Sequence, residues 1–181
     1  RELRNKFFKQ VKLLRRNNPF ELFVIENEKK YLNITRNRIK RFNKFLKIKD
    51  PIKINYLLTD VEMSTFNGRI CTQYKKLPLC NPDFIYLDGP HPLDPIGKIY
   101  NISFKCKERT PISADICFLE STLLPGSSIL IDGRTNNVRF LKRNLKRKYS
   151  FKWDRHGDVT FLKLTEKRLG NLNKLGFEFF N

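Results

Sequence analysis

The sequence predicts an α/β fold: a three-layer αβα sandwich with a mostly parallel sheet and an antiparallel hairpin near the C-terminal end. Two observations support this prediction. Short apolar runs, typical of strands buried on both faces, alternate with segments of helical periodicity. This alternation favours parallel strands joined by helical crossovers, with helices on both faces of one sheet. The chain has 181 residues and 40% hydrophobic content, which is enough for one core.

Four apolar runs are predicted to form the parallel strands. They comprise residues 20–25, 52–58, 83–87 and 128–131. Helical periodicity or a plausible N-cap predicts helices at residues 1–16, 31–45, 113–124 and 136–149, whereas residues 63–79 have only weak helical character. Near the end, residues 150–153 and 159–164 flank a polar turn that contains His156, a pattern typical of a hairpin.

One domain is predicted over residues 1–164, and residues 165–181 are predicted to be a tail that packs on it. No apolar run approaches the roughly 20 residues that a membrane-spanning helix needs. The four cysteines show no Cys-x-x-Cys spacing, so a structural zinc site or a disulfide framework is not expected. We therefore expect a cytoplasmic protein with free thiols.

The net charge of +19 has two interpretations. A positive charge of this size is expected in a protein that binds a polyanion, most often a nucleic acid. It is also expected when a composition rich in Lys, Asn and Ile produces a basic surface without selection for binding. The densest basic runs, residues 36–49 and 139–148, fall on predicted solvent-facing helices. We therefore expect any nucleic-acid affinity to be non-specific and sensitive to salt.

Acidic residues follow the four predicted strands at Glu26, Asp60, Asp88 and Asp132. In an open α/β sheet, ligands bind outside the carboxyl ends of the strands, so these side chains are predicted to line one crevice. A carboxylate in such a crevice accepts hydrogen bonds from both hydroxyls of a ribose, or from the amino group of adenine. The alternative is that acidic residues simply favour loop starts and helix N-termini.

Several of these segments resemble class I S-adenosylmethionine-dependent methyltransferases, which have a Rossmann-like sheet. The resemblance rests on the segments FVIEN, LLTDV, DFIYLDGPH and LLPGSSILIDG, and it covers roughly residues 1–164. It implies that S-adenosylmethionine is the cofactor. It further implies that the ribose lies against Glu26 and Asn27, the adenine against Asp60 and Val61, and the reacting groups near Asp88.

The sequence departs from that family in its glycines. The family has a Gly-x-Gly loop after its first strand, whereas this chain has no Gly-x-Gly and its first glycine is Gly68. We therefore expect the domain to be incomplete at its N-terminus, lacking the first strand and the glycine-rich loop. The alternative is a degenerate relative without enzymatic activity.

Two residues are the candidates for catalysis, Asp88 and His91. An imidazole has an ordinary pKa near 6.5, so His91 is suited to take the proton of an acceptor hydroxyl, unless it is a loop residue without a chemical role. Asp88 and Asp132 are weak candidates for Mg²⁺ ligands, because a carboxylate pair alone is poor evidence for a metal and Arg134 adds positive charge beside it. No metal site is predicted.

The resulting prediction is methyl transfer from S-adenosylmethionine to a hydroxyl of a small molecule or sugar. The alternatives are a nucleic-acid-binding protein or RNA methyltransferase on the same fold, and a non-enzymatic relative. Clustered basic residues with exposed aromatic rings would favour nucleic acid, whereas evenly spread basic residues would favour the effect of composition.

Overall fold

A computed structural model describes residues 21–46, 53–105 and 110–167. The helix predicted at residues 1–16, the thiol of Cys106 and the predicted tail beyond residue 167 lie outside the described residues. Within them the chain forms eight strands and three α-helices. In chain order these are β1 (Glu21–Glu26), α1 (Lys29–Leu46), β2 (Lys53–Leu58), β3 (Val61–Phe66), β4 (Arg69–Tyr74), β5 (Phe84–Leu87), α2 (Asp115–Leu119) with a 3₁₀ turn (Glu120–Thr122), β6 (Ser128–Asp132), α3 (Thr135–Asn144), β7 (Tyr149–Asp154) and β8 (Val159–Leu164).

The strands form three small sheets. β1 and β2 pair in parallel, β3 and β4 form an antiparallel hairpin, and the third sheet has the order β5-β6-β8-β7. In the third sheet only β5 and β6 are parallel, so three of the five described strand pairings are antiparallel. The predicted three-layer αβα sandwich with a mostly parallel Rossmann-like sheet is therefore wrong.

The reason lies in how the predicted strands pair. The apolar runs do form strands, and β5 and β6 lie in one sheet as predicted. Ile85 is opposite Ile129 in this pair. However, no residue of β1 or β2 is fully buried, so the inference of a sheet covered on both faces fails there. The predicted C-terminal hairpin is confirmed, because β7 pairs antiparallel with β8 from Tyr149 opposite Leu164 to Asp154 opposite Val159.

Residues 63–79 contain strands where only weak helical character was predicted. β3 and β4 turn through Asn67 and Gly68, which both have positive φ angles, of 51° and 71°. Asn-Gly is the dipeptide that tight two-residue hairpin turns favour, because both central residues need positive φ. The hairpin is thus explained by its turn.

The helix predicted at residues 113–124 is shorter than expected. α2 spans five residues and continues as a 3₁₀ turn. The capping position is Ala114 and not Ser113, the residue with which the predicted helix begins, and the Ser113 hydroxyl donates to Asp115 over 2.5 Å. The backbone becomes extended at Leu123, two residues before Pro125, which cannot continue a helix.

The core lies between the four-stranded sheet, α2 and α3. Its fully buried side chains include Ile129, Ile131, Leu141, Leu162 and Leu164. The loop after β5 pairs with β3, because Met63 N donates to Ile96 O and Ile96 N donates to Val61 O, each over 2.8 Å. These bonds fix the loop that carries His91 and Asp94. None of the described helices has the length and apolar character needed to cross a membrane.

Candidate functional site

Three carboxylates form a cluster where β1 and β5 end, which we call the acidic cluster: Glu26, Asp88 and Asp94. Glu26 is the last residue of β1, Asp88 follows β5, and Asp94 lies in the loop beyond it. Burial raises the pKa of Glu26, and the negative charges of Asp88, Asp94 and Glu28 raise it further. The fold therefore brings the predicted residues Glu26 and Asp88 within electrostatic range of each other and adds Asp94, which the sequence did not single out.

Asp94 joins the end of β1 to the loop after β5. Its Oδ2 accepts a hydrogen bond from Asn27 Nδ2 over 2.8 Å and one from the backbone N of His91 over 3.2 Å. The Asp94 side chain is only 15% exposed, whereas that of His91 is 61% exposed. Asn27, which was predicted to bind the cofactor, therefore holds Asp94 in place.

The imidazole of His91 is engaged through one nitrogen. Leu93 N donates to His91 Nδ1 over 3.3 Å, so in this arrangement Nδ1 is the acceptor and the ring proton of the neutral form lies on Nε2. His91 can therefore donate a hydrogen bond to a ligand through Nε2. It can accept a proton at Nδ1 only after the bond to Leu93 is released.

Arg134 is the cation beside the acidic cluster. Its Nη2 lies 3.8 Å from Asp88 Oδ1 and donates to the carbonyl of Gly89 over 3.0 Å. Gly89 has a φ of 80°, and a Cβ atom at this position would lie 3.0 Å from Arg134 Nε. Glycine therefore permits the close approach of the guanidinium. Arg134 Nε is buried and has no hydrogen-bond partner among the described residues.

Tyr74, the last residue of β4, contributes a phenol near the cluster. Burial raises its pKa well above the ordinary value, and the charges of Glu26, Asp115 and Asp88 add to the effect while Arg134 opposes it. The phenol therefore stays protonated and is a donor toward acidic or hydroxyl groups. Sequence reasoning missed Tyr74 because it missed the hairpin, which the Asn-Gly dipeptide signals.

The predicted residues Asn27 and Asp60 share a second feature, a surface depression of about 390 Å³. It is lined by Asn27, Leu58, Thr59, Asp60, Lys75 and Lys76. The side chain of Asp60 is exposed, and its backbone carbonyl accepts from Lys75 N over 2.9 Å. Val61, the other residue predicted to contact adenine, is 2% exposed, and its carbonyl is bonded to Ile96.

Asp132 lies at the end of β6, next to β5, and binds a different partner. The hydroxyl of Tyr86 donates to Asp132 Oδ2 over 2.5 Å. Burial raises the pKa of Tyr86, and the bond to Asp132 raises it further. Among the described residues, no group of three or more His, Cys, Asp or Glu side chains is arranged to hold a metal ion.

No family model matches the chain, and neither a curated protein nor a solved structure is significantly similar to it. Together with the three small, mostly antiparallel sheets, this result overturns the resemblance to class I methyltransferases. The resemblance rested on short segments in which an apolar strand ends on an acidic residue, and such segments do not determine how the strands pair.

Proposed function

We propose that the acidic cluster binds a small molecule that carries both a positive charge and hydroxyl groups, and that this molecule is S-adenosylmethionine. One observation carries the proposal. Burial raises the pKa of Glu26, and the negative charges of the nearby Asp88 and Asp94 raise it further, in a protein with a net charge of +19. The proposal depends on this cluster and not on any family fold.

The cluster favours a cation because its carboxylates repel one another when ionised. Arg134 lies 3.8 Å from Asp88, but it supplies one positive charge beside three carboxylates, so it compensates their negative charge only in part. A bound cation would relieve the repulsion that remains. A sulfonium group is such a cation, and the hydroxyls of a ribose are donors that suit the oxygens of Glu26.

When bound, S-adenosylmethionine supplies a methyl group that is activated for transfer by the positive charge on its sulfur. The role of this chain is to position the reactants, and such positioning supplies much of the rate enhancement in a reaction of this kind. Asp88 is suited to contact a reactant, because its side chain is 69% exposed. The acceptor that we propose is a hydroxyl of a small molecule or sugar.

We assign to His91 the role of receiving the proton that the acceptor hydroxyl loses. Its exposed ring lies on the loop that Asp94 fixes. Proton uptake requires release of the Leu93 bond from Nδ1, so we propose that a small movement of this loop accompanies the transfer. Acceptors that ionise easily would not need this step.

We also propose that the protein acts in the cytoplasm. Cys71 and Cys117 are buried free thiols, and burial raises their pKa to about 11 and about 12. Such thiols stay protonated and unreactive, because the thiolate is the reactive form. Free thiols are compatible with a reducing compartment.

Titration calorimetry with two matched ligands tests the proposal. S-adenosylmethionine and S-adenosylhomocysteine share the adenosine and the amino acid, but only the first has the charged sulfur. We expect the charged ligand to bind about tenfold more tightly, which corresponds to about 1.4 kcal/mol. The preference should shrink as salt is added. Equal affinities, or binding of neither ligand, would refute the proposal.

A further inference from the structure

A second surface, apart from the acidic cluster, is basic. Three arginines, Arg69, Arg139 and Arg143, line one cavity of about 460 Å³, which we call the arginine cavity. Its other lining residues are Ile70, Ile112, Asn136, Phe140 and Asn144. The volume lies within the usual range for small-molecule sites.

The fold places the arginines opposite one another. Arg69 is the first residue of β4, and Arg139 and Arg143 lie one turn apart on α3. Asn67, in the turn before β4, donates to Asn144 Oδ1 over 3.3 Å, and the amide of Asn144 donates to Phe140 O over 2.7 Å. These bonds join the hairpin turn to α3 and hold Arg69 on the rim of the cavity.

The positive charge of the cavity has no counterpart among the described residues. No acidic residue lines the cavity, and none of its three arginines forms an ion pair within the described ranges. By contrast, Arg147 pairs with Glu166. Like charges four residues apart on a helix repel each other, so an anion bound between Arg139 and Arg143 would relieve this repulsion.

The floor of the cavity is apolar and adjoins aromatic rings. The apolar residues of its lining are Ile70, Ile112 and Phe140, which we call the apolar floor. The ring of Phe66 packs edge-on against Phe140 and against Phe118, with centroid distances of 6.4 and 5.3 Å, and Phe118 is 44% exposed. A planar apolar group can therefore lie on the floor while its anionic part faces the arginines.

We propose that the arginine cavity binds a nucleotide, with its phosphate held by Arg139 and Arg143 and its base on the apolar floor. A guanidinium group donates two parallel hydrogen bonds whose spacing matches two oxygens of a phosphate. Because no carboxylate lines the cavity, its guanidinium groups are available for a phosphate. The phosphate belongs either to a free nucleotide or to a nucleotide within a single RNA strand. The site is independent of the acidic cluster and of the function proposed for it.

Calorimetric titrations with adenosine monophosphate, adenosine and an octanucleotide of uridine test this proposal. We expect adenosine monophosphate or the octanucleotide to bind, and adenosine to bind at least about tenfold more weakly than adenosine monophosphate if the free nucleotide is the ligand. Binding of adenosine monophosphate identifies the free nucleotide, and binding of the octanucleotide alone identifies the strand. Binding of neither phosphate probe would overturn the proposal.

Substitutions distinguish binding in the arginine cavity from attraction by the overall positive charge of the protein. Arg139→Gln and Arg143→Gln should each lower the affinity for the phosphate probe that binds by at least about fivefold, because each removes a guanidinium group that contacts the phosphate. Arg155→Gln removes the same charge from the β7–β8 turn and should change the affinity by less than about twofold. Circular dichroism establishes that each variant is folded. Arg139, Arg143 and Arg155 are exposed, so we expect no loss of structure in these variants. Equal effects of Arg139→Gln, Arg143→Gln and Arg155→Gln would overturn the site.

Discussion

Asn27 donates a hydrogen bond to Asp94 over 2.8 Å and thereby joins the end of β1 to the loop that carries His91. The acceptor is a mostly buried carboxylate, whose other described hydrogen bond comes from the backbone of His91. The two residues lie 67 positions apart in the sequence. Their contact is therefore part of the tertiary structure that shapes the acidic cluster.

Asn27→Ala should lower the free energy of unfolding by about 1.5–3 kcal/mol, which is the usual contribution of a hydrogen bond to a charged group. Urea denaturation monitored by circular dichroism measures the change. Asn33→Ala, at an exposed position of α1, is the matched control and should change the stability by less than about 0.5 kcal/mol. Equal effects of the two substitutions would show that the bond to Asp94 does not stabilise the fold.

Gly89→Ala should destabilise the protein more than Gly97→Ala does. Both glycines have positive φ, of 80° and 91°, so both substitutions carry the same kind of backbone strain. Only at Gly89 does the new Cβ meet another group, Arg134, and such overpacking typically costs about 1–3 kcal/mol. Thermal and urea unfolding of the two variants measure the difference.

The double variant Gly89→Ala/Arg134→Ala isolates that contact. Without the guanidinium, the cost of the alanine at position 89 should fall to that measured at position 97, because only the backbone strain remains. If the extra cost persists when Arg134 is absent, the packing of the guanidinium over Gly89 does not explain it.

Glu26 should lower the stability of the folded state when it is ionised. Its pKa in the folded protein is raised above the ordinary value of 4.5, so between the two pKa values the folded state binds more protons than the unfolded state. Stability contributed by Glu26 is therefore present below the ordinary pKa and is lost as the pH rises through the folded pKa. Glu26→Gln should thus stabilise the protein at about pH 7, and the gain should disappear at about pH 4.

Urea denaturation of the wild type and of Glu26→Gln at these two pH values provides the measurement. The difference between the two proteins removes the contributions of all groups that titrate alike in both. A gain in stability that is the same at both pH values would show that the charge of Glu26 is not its cause.

The positions of the strands could be predicted from sequence better than their pairing. Apolar runs located β1, β2, β5 and β6 to within one or two residues, because strand-forming apolar residues are recognisable in the local sequence. Pairing depends on contacts between distant residues, such as Ile129 with Leu162 across the antiparallel β6–β8 pair. No local pattern specifies such contacts, so the predicted single parallel sheet was wrong.

The acidic cluster was predictable in part for the same reason. Glu26 and Asp88 end apolar runs, and this local signal singled them out. Asp94 completes the cluster from the loop after β5, and Tyr74 lies near it at the end of the β3–β4 hairpin. The Asn67-Gly68 turn signals the hairpin, but no local pattern marks Asp94, whose role depends on its bond to Asn27.

The affinity for S-adenosylmethionine of Glu26→Gln, compared with that of Glu28→Gln, tests the central claim most directly. Both substitutions remove one negative charge, but Glu26 is partly buried in the acidic cluster and Glu28 is exposed two residues away. Loss of charge-assisted hydrogen bonds at Glu26 should weaken binding about tenfold or more, whereas Glu28→Gln should weaken it by less than about twofold. Titration calorimetry that finds equal losses for the two variants, or no loss at Glu26, would contradict the assignment of the acidic cluster as the binding site.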